Sequence, residues 1–596
     1  MSKNTLYTKG VLSGRTTPNT LADLLPNLTS NEIFDLVMDA GTPDQLIKDL
    51  TCSYFDNLDD VPSPRETAKE LMALLSMGFT ERFHLTGEKW HVPKELPAST
   101  LSTALSKTGD FVQILTDSNS TPQLYVYAKS GHYAGTYRYV DMRDLTGEFH
   151  KIVREWNYNT NANYRKEVLL QLADEAPLIK ETQDNSWVPV ANGAFNVKTQ
   201  EFIPLSDPSY RNRFVFLKKI HTNYNLLANT NPILTDPDTG DVFDVDSFMD
   251  SYFGPGTDMT KLLWELFYVL VRYKKNYRVC HFFCNVDSGN NAGSNGKSTL
   301  LSLMRSLLGE GNFCSVKLHD MNKDFSLAPL HNTIAILVDE VAVDVPIVQC
   351  DILKTLATRD ESVTTQKKFH DPRTGKWDGN MVFCCNGWPR ILEKTGAAEK
   401  RFYFWNFTKR FVGNADKTYL QDVFVHDKRV CEYVLYKVLH MGDNKRLSRP
   451  KEIDNNLAQY RMDNCNTVHE FLNEFALPDA SGRIPLVWSM QPFTWLYAFY
   501  QQWLYKDLGQ SNKMTPKKFR QEVISWSAQH TDIWKLQNCD VHRPKGVMEQ
   551  NEPLIGEYEV KSWYGSIQQV MKPNGGFETT FHPALVDTYT RALIRK

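Results

Sequence analysis

No stretch of this 596-residue chain approaches the ~18 consecutive apolar residues that a membrane-crossing helix needs. The opening segment, MSKNTLYTKGVLSG, has no apolar core of the signal-peptide kind. The expected location is therefore the compartment of synthesis, the cytoplasm, with no membrane partner. Internal repeats and low-complexity tracts are absent. Ten cysteines are scattered, and no C-x-x-C pair has a partner pair at zinc spacing. Cys280 and Cys284 lie in the apolar run VCHFFCNV, and Cys384 and Cys385 in another. They read as small buried strand residues of a reducing compartment. A net charge of only −3 excludes a uniformly basic surface, although a confined basic channel remains open to such a chain. Residues 1–110 also lack paired acids on a strand flanked by β-branched runs, the arrangement a nucleotidyl-transfer palm requires.

What is present is ordinary soluble material. Hydrophobic residues make up 41%, aromatics 12% and charged residues 23%, and the length suggests roughly four domains. Helices are expected at TSNEIFDLVMDAG (29–41) and SPRETAKELMALLSMG (63–78). The second opens with Ser63-x-x-Glu66 and Pro64 at its first position. From residue 122 the pattern alternates, and PQLYVYAKSGHYAGTYRYVD reads as strands around Ser130–Gly131. SWVPVANGAFNVKTQEFIPLS (186–206) reads as short strands around Asn192–Gly193. Residues 243–275 read as two helices split by Gly-Pro-Gly. A βαβ pattern then begins with the strand YRVCHFFCNV (277–286), the helix KSTLLSLMRSLLG (297–309), and the strands NTIAILVDE (332–340) and GNMVFCCNGWP (379–389). It predicts a mostly parallel sheet with ligands at the strand C-termini. GDNKRLSRPKEIDNN (442–456) reads as a polar linker. WLYAFYQQWLYKD (495–507) and MTPKKFRQEVISWSAQH (514–530) read as helices, the latter with Thr515 as N-cap.

Between strand and helix lies NAGSNGKSTL (291–300). It matches the phosphate-binding pattern G-x-x-x-x-G-K-[ST] except that Asn291 replaces the first Gly. Asn tolerates left-handed backbone better than other non-glycine residues, so the departure is mild. Gly293, Ser294, Asn295, Gly296, Lys297, Ser298 and Thr299 are the candidate nucleotide-binding residues. Lys297 suits the β/γ-phosphates and Ser298 a magnesium ion. Asp339 and Glu340 end the next apolar strand, where two acids are costly unless a cation is near. Asp339 suits the Mg²⁺ shell, and Glu340 suits a residue polarising the attacking water. Asn386 ends the third strand and suits the water or the γ-phosphate. Arg401, in AAEKRFYFWNF, opens a further strand and suits a finger reaching a neighbouring subunit's γ-phosphate.

The run GSNGKST, then VDE, then FCCN, then KRF, resembles a superfamily 3 helicase, nearest to the poxvirus and phage primase-helicase branch. LYVYAKSGHYAGTYRYVDM, VANGAFNVKTQEFIPLS and FVFLKKIHTNYN resemble the region preceding the motor in that branch. WLYAFYQQWLYKDLGQSNKMTPKKFRQEV resembles its C-terminal winged-helix module. The resemblance implies a multidomain α/β chain with an AAA+ P-loop core, an α+β N-terminal region and a C-terminal winged-helix-like domain. Its segments are 1–110 (helical, role unassigned), 111–215 (α+β), 216–275 (helical collar), 276–445 (motor) and 450–596 (winged-helix-like). It further implies a hexameric ring that hydrolyses ATP with Mg²⁺ and moves 3′-to-5′ along single-stranded or forked DNA during viral or phage replication. Replication proteins such as a polymerase or primase are the implied partners. Catalytic roles fall to Lys297, Glu340, Asn386 and, across the subunit boundary, Arg401. DNA contact is implied for a hairpin within 359–380. There VTTQKKF reads as one arm, DPRTG as the turn and KWDGNMVF as the other arm, with Lys367, Lys368, Arg373 and Lys376 around it. Lys513, Lys517, Lys518 and Arg520 are equally well read as a second DNA contact or as the solvated face of an amphipathic helix.

Two other AAA+ readings, an origin initiator and a DNA-packaging ATPase, share these motifs. A P-loop small-molecule kinase needs no oligomer and no role for Arg401. A non-enzymatic DNA-binding scaffold leaves the acids at 339 and 340 unexplained.

Overall fold

The computed structural model describes residues 18–58, 63–115, 122–141, 148–157, 160–286, 294–323, 325–342, 351–366, 373–389, 391, 400–412, 418–443, 446–464, 467–479, 482–507, 514–536, 546–547, 552–563, 567–571, 577–581, 585–586 and 592–596. Helices Ser30–Asp39, Pro43–Asp56, Pro64–Thr86 and Ala98–Lys107 build its amino-terminal part. Thr29 and Glu32 form a capping box on the first: Thr29 Oγ1 accepts from the Glu32 N–H at 3.3 Å, and Glu32 Oε2 accepts from the Thr29 N–H at 2.8 Å. The helix expected from residue 63 runs on to Thr86, where Gly87 turns left-handed at φ 74° and ends it.

Strands β1 (Phe111–Leu115), β2 (Gln123–Tyr127), β3 (Tyr137–Tyr139) and β4 (Leu178–Lys180) form a mixed sheet in the order β3-β2-β1-β4. Phe111, Leu124 and Val126 pack on the helices in one core that extends from Leu21 to Ala176. That core passes through residue 110, where the resemblance places a change of segment. Val112, Ile114, Tyr125 and Tyr137 form a second small core against Val215 and Leu217.

The short strands expected around Asn192–Gly193 are β5 (Trp187–Val190), β6 (Gly193–Asn196) and β7 (Phe202–Pro204), which pair as an antiparallel meander. A small hairpin, β8 (Ile233–Thr235) with β9 (Val242–Asp244), follows. Helices Val245–Phe253 and Asp258–Val271 come next, divided at Gly254-Pro255-Gly256 as expected.

The centre of the molecule is carried by β10 (Cys280–Cys284), β11 (Phe313–Cys314), β12 (Ala335–Val341), β13 (Val363–Thr365), β14 (Arg373–Gly375), β15 (Asn380–Cys385) and β16 (Phe402–Asn406). Five of them form one sheet, β11-β12-β15-β10-β16, in which every pair is parallel. Side chains alternate between its faces. Phe283, Leu337, Val382 and Trp405 join a core with helices Asp258–Val271, Lys297–Leu308 and Lys428–Leu439. Phe282, Ile336, Phe383 and Phe404 join a different core with helix Asp351–Thr358. Burial on both faces is what permits near-continuous apolar strands in a parallel sheet. The chain is thus a multidomain α/β protein with mixed sheets, and no described sheet closes into a barrel.

Two local expectations change. The segment 442–456 does not remain a linker, because helix Lys451–Asn464 begins inside it. Ile453, Leu457 and Tyr460, at i, i+4 and i+7, are buried, and Asn456 Nδ2 donates to the Phe404 carbonyl at 2.9 Å. A narrow apolar stripe in a polar sequence was enough once a sheet face was there to receive it. The hairpin within 359–380 is also re-registered. Thr365 pairs with Arg373, so Arg373–Gly375, expected in the turn, forms the second arm. Lys376–Gly379 leaves the hairpin, anchored by Trp377, whose Nε1 donates to the Thr333 carbonyl at 2.9 Å.

In the carboxy-terminal part, helices Thr467–Phe475, Phe493–Lys506 and Pro516–Ser527 pack on a three-stranded antiparallel sheet of Met490–Pro492, Ala592–Arg595 and Trp534–Leu536. Among the described residues no helix is long and apolar enough to cross a membrane.

Candidate functional site

At the carboxyl edge of the parallel sheet, β10, β15 and β12 are neighbours. The chain leaves β10 through Asn285 and Val286, and 287–293 lie outside the described residues, so Asn291 and Gly293 do too. It re-enters at Ser294 (φ 53°) and reaches Gly296 (φ 72°), which caps helix Lys297–Leu308. The first intrahelical bond runs from the Leu300 N–H to the Gly296 carbonyl at 3.0 Å. The N–H groups of Lys297, Ser298 and Thr299 therefore have no partner within the helix, as at any helix start.

The loop is strapped from two sides. Asn295 is buried; its Oδ1 accepts from Asn285 Nδ2 at 2.7 Å and its Nδ2 donates to the Lys409 carbonyl at 2.9 Å. The Phe411 N–H donates to the Ser294 carbonyl at 2.7 Å, and the Tyr252 hydroxyl donates to the Gly296 carbonyl at 3.0 Å. Backbone irregularity next to a cleft is thus held by bonds from the segment after β16 and from helix Val245–Phe253.

The acids owe their position to a bulge. Val338 stands opposite Phe383 and Val341 opposite Cys385, so β12 has one residue more than β15 between those pairs. A bulge breaks the two-residue alternation. Asp339 and Glu340 consequently are both exposed, although they are consecutive in a strand. The Ser298 hydroxyl donates to Asp339 Oδ1 at 2.7 Å, joining the helix start to the bulge. Asn386 follows β15 directly and is exposed at the same edge. Lys297 is 93% buried by its 7% residual exposure. Burial lowers its ammonium pKa, against the pull of the neighbouring thiols and Asp339.

These side chains share a cleft of about 540 Å³. Ser294 to Thr299, Asp339, Glu340 and Asn386 all line it. Phe248, Tyr252 and Phe411 complete one wall, with Leu420 and Gln421 near them. No local motif marked those five; they come from segments up to 127 residues from Ser294, by the difference of 421 and 294, and only folding brings them here. Ser298 and Asp339 are hard oxygen donors, fit for a magnesium ion that keeps most of its shell from water and phosphate. No group of three or more His, Cys, Asp or Glu side chains suited to a metal is found among the described residues.

Arg401 lies elsewhere. Its carbonyl accepts from the Cys280 N–H at 2.9 Å, which puts it beside the start of β10. The five-residue strands separate that edge from the cleft by about 16 Å. Of the hairpin cations, Lys367 and Lys368 lie outside the described residues, Arg373 opens β14, and Lys376 is exposed. Lys513 lies outside them as well. Lys517 and Lys518 are exposed on helix Pro516–Ser527 and Arg520 is half-buried, while Phe519 is buried.

A family model described as a family of unknown function, DUF5906, matches residues 290–401, from the loop to Arg401. No curated protein matches the chain. Among solved structures, the A form apo structure of the NrS-1 C-terminal region is similar at 11% identity and TM-score 0.38, covering 83% of this chain and 99% of that one. The apo structure of the NrS-1 C-terminal region (305-718) gives 12% identity and TM-score 0.39, over 83% and 98%. Likeness this weak assigns no role.

Proposed function

We propose that the chain is an ATP-driven motor that unwinds DNA as a ring, a replicative helicase of superfamily 3 type encoded by a virus, phage or mobile element. The observation that carries this reading is the convergence of Lys297, Ser298, Asp339, Glu340 and Asn386 on one cleft at the ends of three adjacent parallel strands. Ligands of open parallel sheets bind at that edge.

In this reading Lys297 holds the β- and γ-phosphates, and the N–H groups at the helix start surround them. Ser298 and Asp339 orient the magnesium ion. When bound, that ion neutralises the charge that spreads over the transferred phosphoryl group. Glu340 polarises the attacking water, and Asn386 positions the water or the γ-phosphate. Arg401, about 16 Å away in the same chain, acts on the next subunit's nucleotide. That division favours a ring over a monomeric kinase. The basic hairpin follows the phosphates of a single strand inside the ring, and the carboxy-terminal unit is a winged-helix-like module.

The test is ATP hydrolysis as a function of protein concentration, with and without single-stranded DNA. A steep rise in specific activity together with DNA stimulation is expected. Constant specific activity, indifferent to DNA, overturns the motor and favours the kinase.

A further inference from the structure

A second cavity, about 270 Å³ in volume, is lined by the amino-terminal sheet and by the base of the β13–β14 hairpin. Its size sits just below the usual range for small-molecule pockets, about 300–1,000 Å³. Tyr139 and His331 line it and meet edge to face at 6.2 Å. Trp377 also lines it, fixed by its bond to the Thr333 carbonyl.

The charge around this space is one-sided. Arg138, Lys218, Lys274 and Lys376 line it against only Glu181 and Asp378. Glu181 is taken by Lys274 at 2.6 Å, and Asp378 faces Arg359 at 3.6 Å. Arg138, Lys218 and Lys376 have no carboxylate within ion-pair distance among the described residues. The Arg138 guanidinium lies 3.7 Å over the Tyr133 ring, Tyr133 and Tyr125 favour its charge, and Arg138 and Lys218 repel one another. Stacking covers its flat face, and among the described residues no acceptor meets the five in-plane donors of its guanidinium. Lys218 donates to the Thr333 carbonyl at 2.9 Å. Burial pulls Lys218 down to about 8 even though Asp378 and Glu181 oppose the fall. Partly buried cations that outnumber the carboxylates near them are unfavourable unless an anion joins them.

We infer that this cavity binds one nucleotide, its phosphate on Arg138, Lys218 and Lys376 and its base against Tyr139 and His331. Aromatic rings beside a cationic groove are the sequence-independent way to hold a single-stranded base. The nucleotide is either a unit of a DNA strand or a free mononucleotide. Only the first source rests on the helicase reading; the cavity itself does not.

The experiment uses the full chain carrying Lys297→Ala, so that the first cleft contributes no nucleotide binding. Fluorescence anisotropy is read with labelled oligo-dT and, separately, with labelled adenosine monophosphate. Arg138→Ala and the exposed Lys376→Glu are added one at a time, and Lys376→Glu decides if Arg138→Ala does not fold. About tenfold weaker oligo-dT binding, with a salt slope reduced by about one, is expected of a strand nucleotide. Lost mononucleotide binding with unchanged oligo-dT binding supports the free-nucleotide source. Both variants binding both probes as the parent does, or a parent that binds neither probe, overturns the inference. Failure of the helicase reading is read separately, from ATP hydrolysis with Lys297 intact.

Discussion

A methyl group on residue 296 would lie 2.9 Å from Tyr252 Cε1 and 3.1 Å from Phe411 Cε2, on a backbone at φ 72°. Both the space and the dihedral therefore demand glycine here. Gly296→Ala is expected to lower stability by about 1–3 kcal/mol and to weaken ATP-analogue binding, because Lys297 and Ser298 follow directly. Tyr252→Phe keeps the ring and removes one hydroxyl bond, so it is expected to cost about 1 kcal/mol with a smaller loss of affinity. Urea midpoints and titration calorimetry measure the two effects. Equal effects in both variants would mean that the hydroxyl, not the backbone conformation, holds the loop. The glycine and the lysine were legible in NAGSNGKSTL. Tyr252 and Phe411 were not, because their role comes from packing between segments distant in the chain.

At the scale of elements, the bulge in β12 and the helix after residue 450 show where pattern reading stops. VDE announced two acids after an apolar strand, but alternation would have buried one of them. The extra residue against β15 turns both to the cleft. The carboxy-terminal unit holds a pH-sensitive element of a different kind. Glu552 precedes helix Pro553–Glu557, and its Oε2 accepts from the Val487 N–H at 2.8 Å and the Trp488 N–H at 3.4 Å. Burial nevertheless pushes its carboxyl up to about 7 from 4.5. The folded state thus binds more protons than the unfolded state between those values. Its contribution to stability is complete below about pH 4.5 and is lost as pH rises through about 7. Glu552→Gln is expected to remove about 1–3 kcal/mol of that pH dependence. Denaturation of wild type and variant at pH 5 and pH 8, followed by tryptophan fluorescence, measures it. Parallel pH profiles for the two proteins would refute the assignment.

For the molecule as a whole, the distance between Arg401 and the cleft is the decisive feature. Within one chain the two stand at opposite edges of the same sheet, so no side-chain rotation unites them. Arg401→Ala is expected to leave nucleotide binding near normal while removing hydrolysis, and Lys297→Ala to remove hydrolysis with the fold intact. An equal mixture of the two inactive proteins should recover activity, since on the order of a quarter of head-to-tail interfaces then join an intact Lys297 to an intact Arg401. ATPase assays across mixing ratios check this, and inactivity at every ratio would remove the shared-site arrangement.

Short-range rules were sufficient for strand Cys280–Cys284 and helix Lys297–Leu308, for the apolar strands that follow, and for the helices capped by Thr29 and Thr515. Each of these follows from periodicity, a cap or a dihedral preference within a few residues. The order of the strands, the bulge that exposes both acids, the aromatic wall of the cleft and the cation-lined cavity beside the amino-terminal sheet arose only on folding. They depend on which distant surfaces bury one another, and no window of sequence contains both partners of such a contact.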